Sequence, residues 1–131
     1  MLDCATGIKS FAMLQLMLKN GYLNKYTLLI IDEPEAHLHP QWIVEYARLI
    51  VLLNKMLGVK FFIASHNPDM ISAIKYISER EETNKKLHFY LSKRNKPKYT
   101  YSYKHLGINI EPIFGSFNIA LNKIGKYGIQ E

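Results

Sequence analysis

Two short apolar runs set the pattern of this chain, and helical stripes fill the space around them. Leu28-Leu29-Ile30-Ile31, preceded by Thr27, is too short for most helices and suits a strand buried on both faces. Val59-Lys60-Phe61-Phe62-Ile63-Ala64 reads as a second strand. Between them, Pro40 fits the first turn of a helix reaching about Leu57. In that stretch Trp42, Ile43, Tyr46, Ala47, Ile50, Val51, Leu53 and Leu57 recur at helical spacing, and Gly58 ends the run. Trp42 is expected in the core. Strand, helix and strand of these lengths predict a βαβ unit, hence a parallel pair whose carboxyl ends share one edge.

On the amino-terminal side, residues 8–20 are rich in strong helix formers and predict a helix buried over much of its girth, stopped by Asn20-Gly21. Ala5-Thr6-Gly7 reads as a small-residue turn in front of it, with amides free to face an anion. Beyond the second strand, Asp69 is placed as the cap of a helix from Met70 to about Ser78, and Glu79 to Lys86 as a loop. Leu87–Ser92 and Tyr99–Lys104 predict a hairpin, and Pro112 opens a closing helix to about Ile124. The fold class is therefore α/β: a short parallel sheet with flanking helices and a C-terminal antiparallel hairpin.

Composition narrows the picture modestly. With 131 residues the chain is at most one domain, large enough for one core and small for a complete nucleotide-hydrolysing machine. No segment approaches a membrane span, and Met1 to Lys9 lack a secretory pattern. The single cysteine, Cys4, suits a reducing cytoplasm, where the protein is expected. A formal charge of +6 favours an anionic partner and equally serves solubility.

The candidate chemistry sits where the first strand leaves the sheet. Asp32 and Glu33 are adjacent, so on an extended backbone their side chains diverge. One can hold a metal while the other faces a reacting centre, and Pro34 then forbids continuation of the ladder. The second strand exits through Ser65-His66-Asn67-Pro68, so Asp32, Glu33 and His66 are expected to converge at a sheet edge where open α/β folds bind ligands. No Gly-x-x-x-x-Gly-Lys-Ser/Thr phosphate loop occurs anywhere in the chain.

Thr27 to Pro40, with its Glu35-Ala36-His37-Leu38-His39-Pro40 tail, resembles the Walker B and D-loop region of ABC-superfamily ATPases, in the branch of DNA-repair, chromosome-maintenance and OLD-like proteins. Ile63 to Pro68 is similar to its switch-histidine loop, and Ala5 to Lys9 to a degenerate signature motif in which Ala5 replaces the usual Ser. The resemblance covers residues 4–78, in the family's order. It implies a partial P-loop NTPase-like domain spanning 1–131, with the basic hairpin and closing helix in 79–131. It further implies ATP and Mg²⁺ as cofactors of the complete ATPase. Asp32 would hold Mg²⁺, Glu33 would handle the attacking water, and His66 would reach the γ-phosphate. Thr6, Gly7 and His37 would contribute to nucleotide contacts across a homodimer formed on ATP binding. The absent Walker A implies a C-terminal part, inactive without a Walker A-bearing half.

Two readings of other classes stand beside this one. His37 and His39 with Asp32 and His66 are the residue types of a metal-dependent hydrolase, although the histidines fall beyond Pro34 and away from the strand end. The hairpin region has no acidic residue from Thr83 to Ile110. Seven of its residues are Lys or Arg, and Tyr90, Tyr99, Tyr101 and Tyr103 lie among them, a composition able to hold nucleic acid or to guard a sheet edge.

Overall fold

The structure, a computed structural model, describes residues 2–97 and 99–128; the side chains of residues 2–6, 120 and 128 lie outside that description. The elements run α1 (Leu2–Lys19), β1 (Leu28–Asp32), α2 (Pro40–Leu57), β2 (Lys60–Ala64), α3 (Pro68–Arg80), a 3₁₀ turn (Asn84–Lys86), β3 (Phe89–Asn95), β4 (Thr100–Gly107) and α4 (Glu111–Gly128). They form two compact units, residues 1–85 and 86–131.

In the first unit β1 and β2 pair in parallel, from Leu28 opposite Lys60 to Asp32 opposite Ala64. This is the expected βαβ unit. The Lys60 amide donates to the Thr27 carbonyl and the Glu33 amide to the Ala64 carbonyl, extending the ladder at both ends. The core lies along α2 and α3: Ile43, Tyr46, Ala47, Ile50, Val51 and Leu53 of α2 are buried, as are Met70, Ile71 and Ile74 of α3. Burial at Tyr46 pushes its phenol above the ordinary tyrosine range. Phe11 of α1 meets Tyr46 edge-on, ring centroids 5.0 Å apart, and Trp42 at 6.0 Å. Gly58 closes α2 with a φ of 72°, in the left-handed region that a side chain resists, while Asn54 Nδ2 donates to the Val59 carbonyl and ties helix end to strand start.

Several expectations need correction. The strands are covered on one face only: Leu28, Ile30 and Phe62 are 57, 73 and 61% exposed, because each strand alternates and the helices cover the other face. The amino-terminal helix is likewise one-sided, with Leu14 buried and Ile8, Met13, Leu16 and Leu18 exposed. Trp42 is half exposed at its rim, not a core residue. Asn67, not Asp69, caps α3: its Oδ1 accepts from the amides of Asp69 and Met70, and Pro68 occupies the first turn. No helix among the described residues is long and apolar enough to cross a membrane.

In the second unit β3 and β4 form an antiparallel hairpin, Asn95 opposite Thr100 and Tyr90 opposite His105, with an irregularity between Phe89 and Tyr90. Both strands run longer than their apolar residues indicate, since ladder hydrogen bonds continue through polar positions near the turn.

Candidate active site at the carboxyl edge of the parallel strands

Parallel pairing carries the chain out of β1 and β2 on the same side, and the exits are chemically unlike. Asp32 is the last residue of β1 and is exposed. Glu33 follows in the left-handed region, φ 47°, a conformation that costs a non-glycine residue on the order of 1–3 kcal/mol. Two backbone bonds hold it there: its amide donates to the Ala64 carbonyl at 2.8 Å, and its own carbonyl accepts from Ala36 at 2.9 Å. The twist turns the Glu33 side chain toward the other exit, where its Oε1 lies 2.9 Å from His66 Nδ1. Both side chains stay accessible, about half for Glu33 and three-quarters for His66. The expected convergence of Glu33 and His66 is thus present, with Asp32 one residue away.

A buried link beneath this pair was not anticipated. Glu35 is 8% exposed, and Ser65 Oγ donates to its Oε1 at 2.6 Å. The Asn67 amide donates to the same Ser65 oxygen at 3.1 Å, and the Asn67 side chain caps α3. Glu35 therefore fastens the turn after β1 to the loop after β2, fixing the positions from which Glu33 and His66 approach. Among the described residues Glu35 Oε2 has no hydrogen-bond partner. The register contains the signal for this link: with Asp32 opposite Ala64, the residues just beyond each strand must pass close to one another. Ser65→Ala is expected to lower unfolding free energy by about 1–3 kcal/mol, because it strands a buried carboxyl. Glu35→Gln, which still accepts from Ser65, should lose less than half of that in urea denaturation. Equal stability of Ser65→Ala and the parent would remove the link from the account.

His37 also has a positive φ, 65°, and its side chain is exposed, as is that of His39 at the start of α2. Neither joins Asp32 and His66: among the described residues no three His, Cys, Asp or Glu side chains gather as a metal cluster. The self-contained metal-hydrolase reading loses its geometric basis. Asp32 by itself offers one exposed hard-oxygen donor, which suits Mg²⁺, an ion that keeps several waters and takes one or two carboxylates with substrate phosphates.

The signature-like segment differs from its expected form. α1 begins at Leu2, so Ala5-Thr6-Gly7 is helix and not a turn, and the amides of Thr6 and Gly7 belong to the helical i→i−4 ladder. The Thr6 hydroxyl lies outside the described residues. Gly7 is buried against the turn after β1: a Cβ there would stand 2.8 Å from Leu38 Cδ2 and 2.9 Å from the His37 carbonyl oxygen. Gly7 and His37 are neighbours because only a glycine lets helix and turn approach this closely.

A parallel βαβ unit with an acidic pair at the end of one strand and a histidine at the end of the next is consistent with a partial P-loop-like α/β domain. Comparison with known families agrees: residues 9–72, just under half of the chain, match the family described as "AAA domain, putative AbiEii toxin, Type IV TA system". The matched segment contains Asp32, Glu33, Glu35, Ser65 and His66. No curated protein and no solved structure was found to match the chain.

Proposed function

We propose that this chain supplies the Walker B, D-loop and switch-histidine part of an ABC-type ATPase of the DNA-repair and OLD-like branch. The observation that carries the reading is the 2.9 Å pairing of Glu33 with His66 beside Asp32, at the carboxyl edge of a parallel pair. Asp32 would hold Mg²⁺, which would neutralise phosphate charge. Glu33 orients the attacking water and takes its proton, and His66 donates a hydrogen bond toward the γ-phosphate oxygens as charge develops. Their mutual contact holds both side chains at the same edge.

Phosphate affinity must come from elsewhere, because the chain has no glycine-rich loop with its lysine to cradle the β- and γ-phosphates. A Walker A-bearing part, in the same polypeptide or another, is the partner of this reading. The exposed apolar face of β1 and β2, around Leu28, Ile30 and Phe62, is where that part docks. Two such assembled copies would meet around ATP, with the exposed His37 facing the opposing nucleotide and the buried Gly7 letting α1 pack against the His37–Leu38 turn.

The test is His66→Ala in the assembled ATPase. Turnover should fall about tenfold to a thousandfold while circular dichroism and melting temperature stay at the parental values, since the imidazole is largely exposed. Unchanged turnover would remove His66 from the mechanism. Loss of folded protein would instead assign it a structural role.

A further inference from the structure

The net charge of the chain resides entirely in its second unit. Residues 1–85 carry nine basic and nine acidic side chains; residues 86–131 carry eight basic and two acidic ones. Within that unit the hairpin sorts its residues by face. Directly opposed residues of an antiparallel pair share a face, and Arg94 opposes Tyr101, Ser92 opposes Tyr103, and Tyr90 opposes His105. The other face carries Leu91, Lys93, Ser102 and Lys104 by the same alternation. Tyr99 joins the aromatic face at the turn, its ring 5.0 Å below the Arg94 guanidinium. His88 joins at the far end, Nδ1 3.1 Å from His105 Nε2, with the Tyr90 ring 5.0 Å from that of His105.

The result is a row of rings along one face, and the rings are open. Tyr90, Tyr99, Tyr101 and Tyr103 are 58, 85, 61 and 73% exposed. A hairpin that needed only solubility would place small polar or charged groups on its solvent face. Edge protection by lysines explains the opposite face and leaves these tyrosines unexplained.

We infer that the Tyr99–Tyr101–Tyr103 face of the β3–β4 hairpin is a binding surface for single-stranded nucleic acid, the rings stacking on bases while Arg94 and Lys96, beside Tyr99 at the turn, meet phosphates. The spacing favours a single strand. Rings on alternate strand residues stand about 6.8 Å apart, whereas stacked bases in a duplex strand are about 3.4 Å apart. Bases can reach successive rings only when the strand is unstacked and stretched. Stacking on aromatic rings is sequence-tolerant, so little base preference is expected. This inference stands independently of the ATPase reading, since it uses only the second unit.

The test measures anisotropy of a fluorescein-labelled oligothymidylate of about 15 nucleotides against the full 131-residue chain, beside the matching duplex and vesicles of anionic lipid. The single strand should bind at least about tenfold tighter than the duplex, with affinity falling steeply between about 50 and 200 mM salt. Tyr101→Ala with Tyr103→Ala should weaken binding by about tenfold or more, since each stacked base is worth roughly fivefold to a hundredfold. Tyr101→Phe with Tyr103→Phe should stay within about twofold of the parent, because the ring and not the hydroxyl does the stacking. Circular dichroism shows whether the alanine pair is folded, and the single variants Tyr101→Ser and Tyr103→Ser must move in the same direction. No binding at low salt overturns the inference. So does binding that is equal for duplex and single strand and indifferent to the tyrosines, or preference for the vesicles.

Discussion

Glu33→Gln, introduced into this chain joined to a Walker A-bearing half, should slow ATP turnover by about a hundredfold or more while nucleotide still binds. The amide keeps the shape of the carboxylate and can still meet His66, so the turn after β1 survives. What disappears is the capacity to take a proton from water. Binding rests mainly on phosphate contacts that Glu33 does not make. Asp32→Asn, one residue away, should behave differently: it weakens the hold on Mg²⁺, so nucleotide binding itself becomes less dependent on added magnesium and weaker overall. The comparison separates the roles of two adjacent carboxylates that composition cannot distinguish. Turnover of Glu33→Gln at the parental rate would show that another group handles the water, and the assignment of Glu33 would fall.

The chain by itself should bind Mg²⁺-ATP negligibly and hydrolyse none. Asp32, Glu33 and His66 are exposed at a sheet edge and surround no phosphate cradle. Turnover should rise from background to a measurable rate when a Walker A-bearing half is supplied from a related protein. The same half should cure a second defect. Leu28, Ile30 and Phe62 present an apolar face to water, and both outer edges of β1 and β2 lack a strand partner among the described residues. Such a surface recruits other chains, so the isolated protein should scatter light as oligomers at micromolar concentration. Ile30→Lys with Phe62→Lys should make it monomeric and also abolish rescue by the added half. ATP turnover by the isolated chain that survives Asp32→Asn would be fatal to the family role and to the need for a second part alike. Rescue that persists in the lysine pair would place the docking face elsewhere.

Glycine at position 7 illustrates how much of the site is a packing matter. Read along the chain, Ala5-Thr6-Gly7 has the small residues of an anion-binding turn, and local propensity leaves that open. Helix α1 continues through all three, because nothing in residues 2–7 breaks a helix strongly and Gly7 costs only about 1 kcal/mol there. The glycine is required by the His37–Leu38 turn lying against it, a neighbour thirty residues on that no local pattern announces.

The sequence alone determined what local chemistry dictates. Apolar runs of strand length, a helical stripe between them and Gly58 at the stripe's end suffice for a parallel βαβ unit, and parallel pairing puts both strand exits on one edge. Topology alone therefore places Asp32, Glu33 and His66 along one edge. That one face of each strand is bare was not legible, since four consecutive aliphatics read as a strand buried on both faces and coverage depends on elements elsewhere. Only the tertiary structure decided that Glu33 sits at positive φ and turns to His66, and that Glu35 goes inward to Ser65 while Glu33, two residues earlier, stays in water. A carboxylate's fate depends on what lies within a few ångströms of it, and at these turns the nearest partners come from the exit of a strand thirty or more residues away. The ordering of tyrosines and lysines onto opposite faces of the hairpin is of the same kind. Alternation fixes that two faces exist, but the register between β3 and β4, set by long-range hydrogen bonds and shifted near Phe89, decided which residues line up across them.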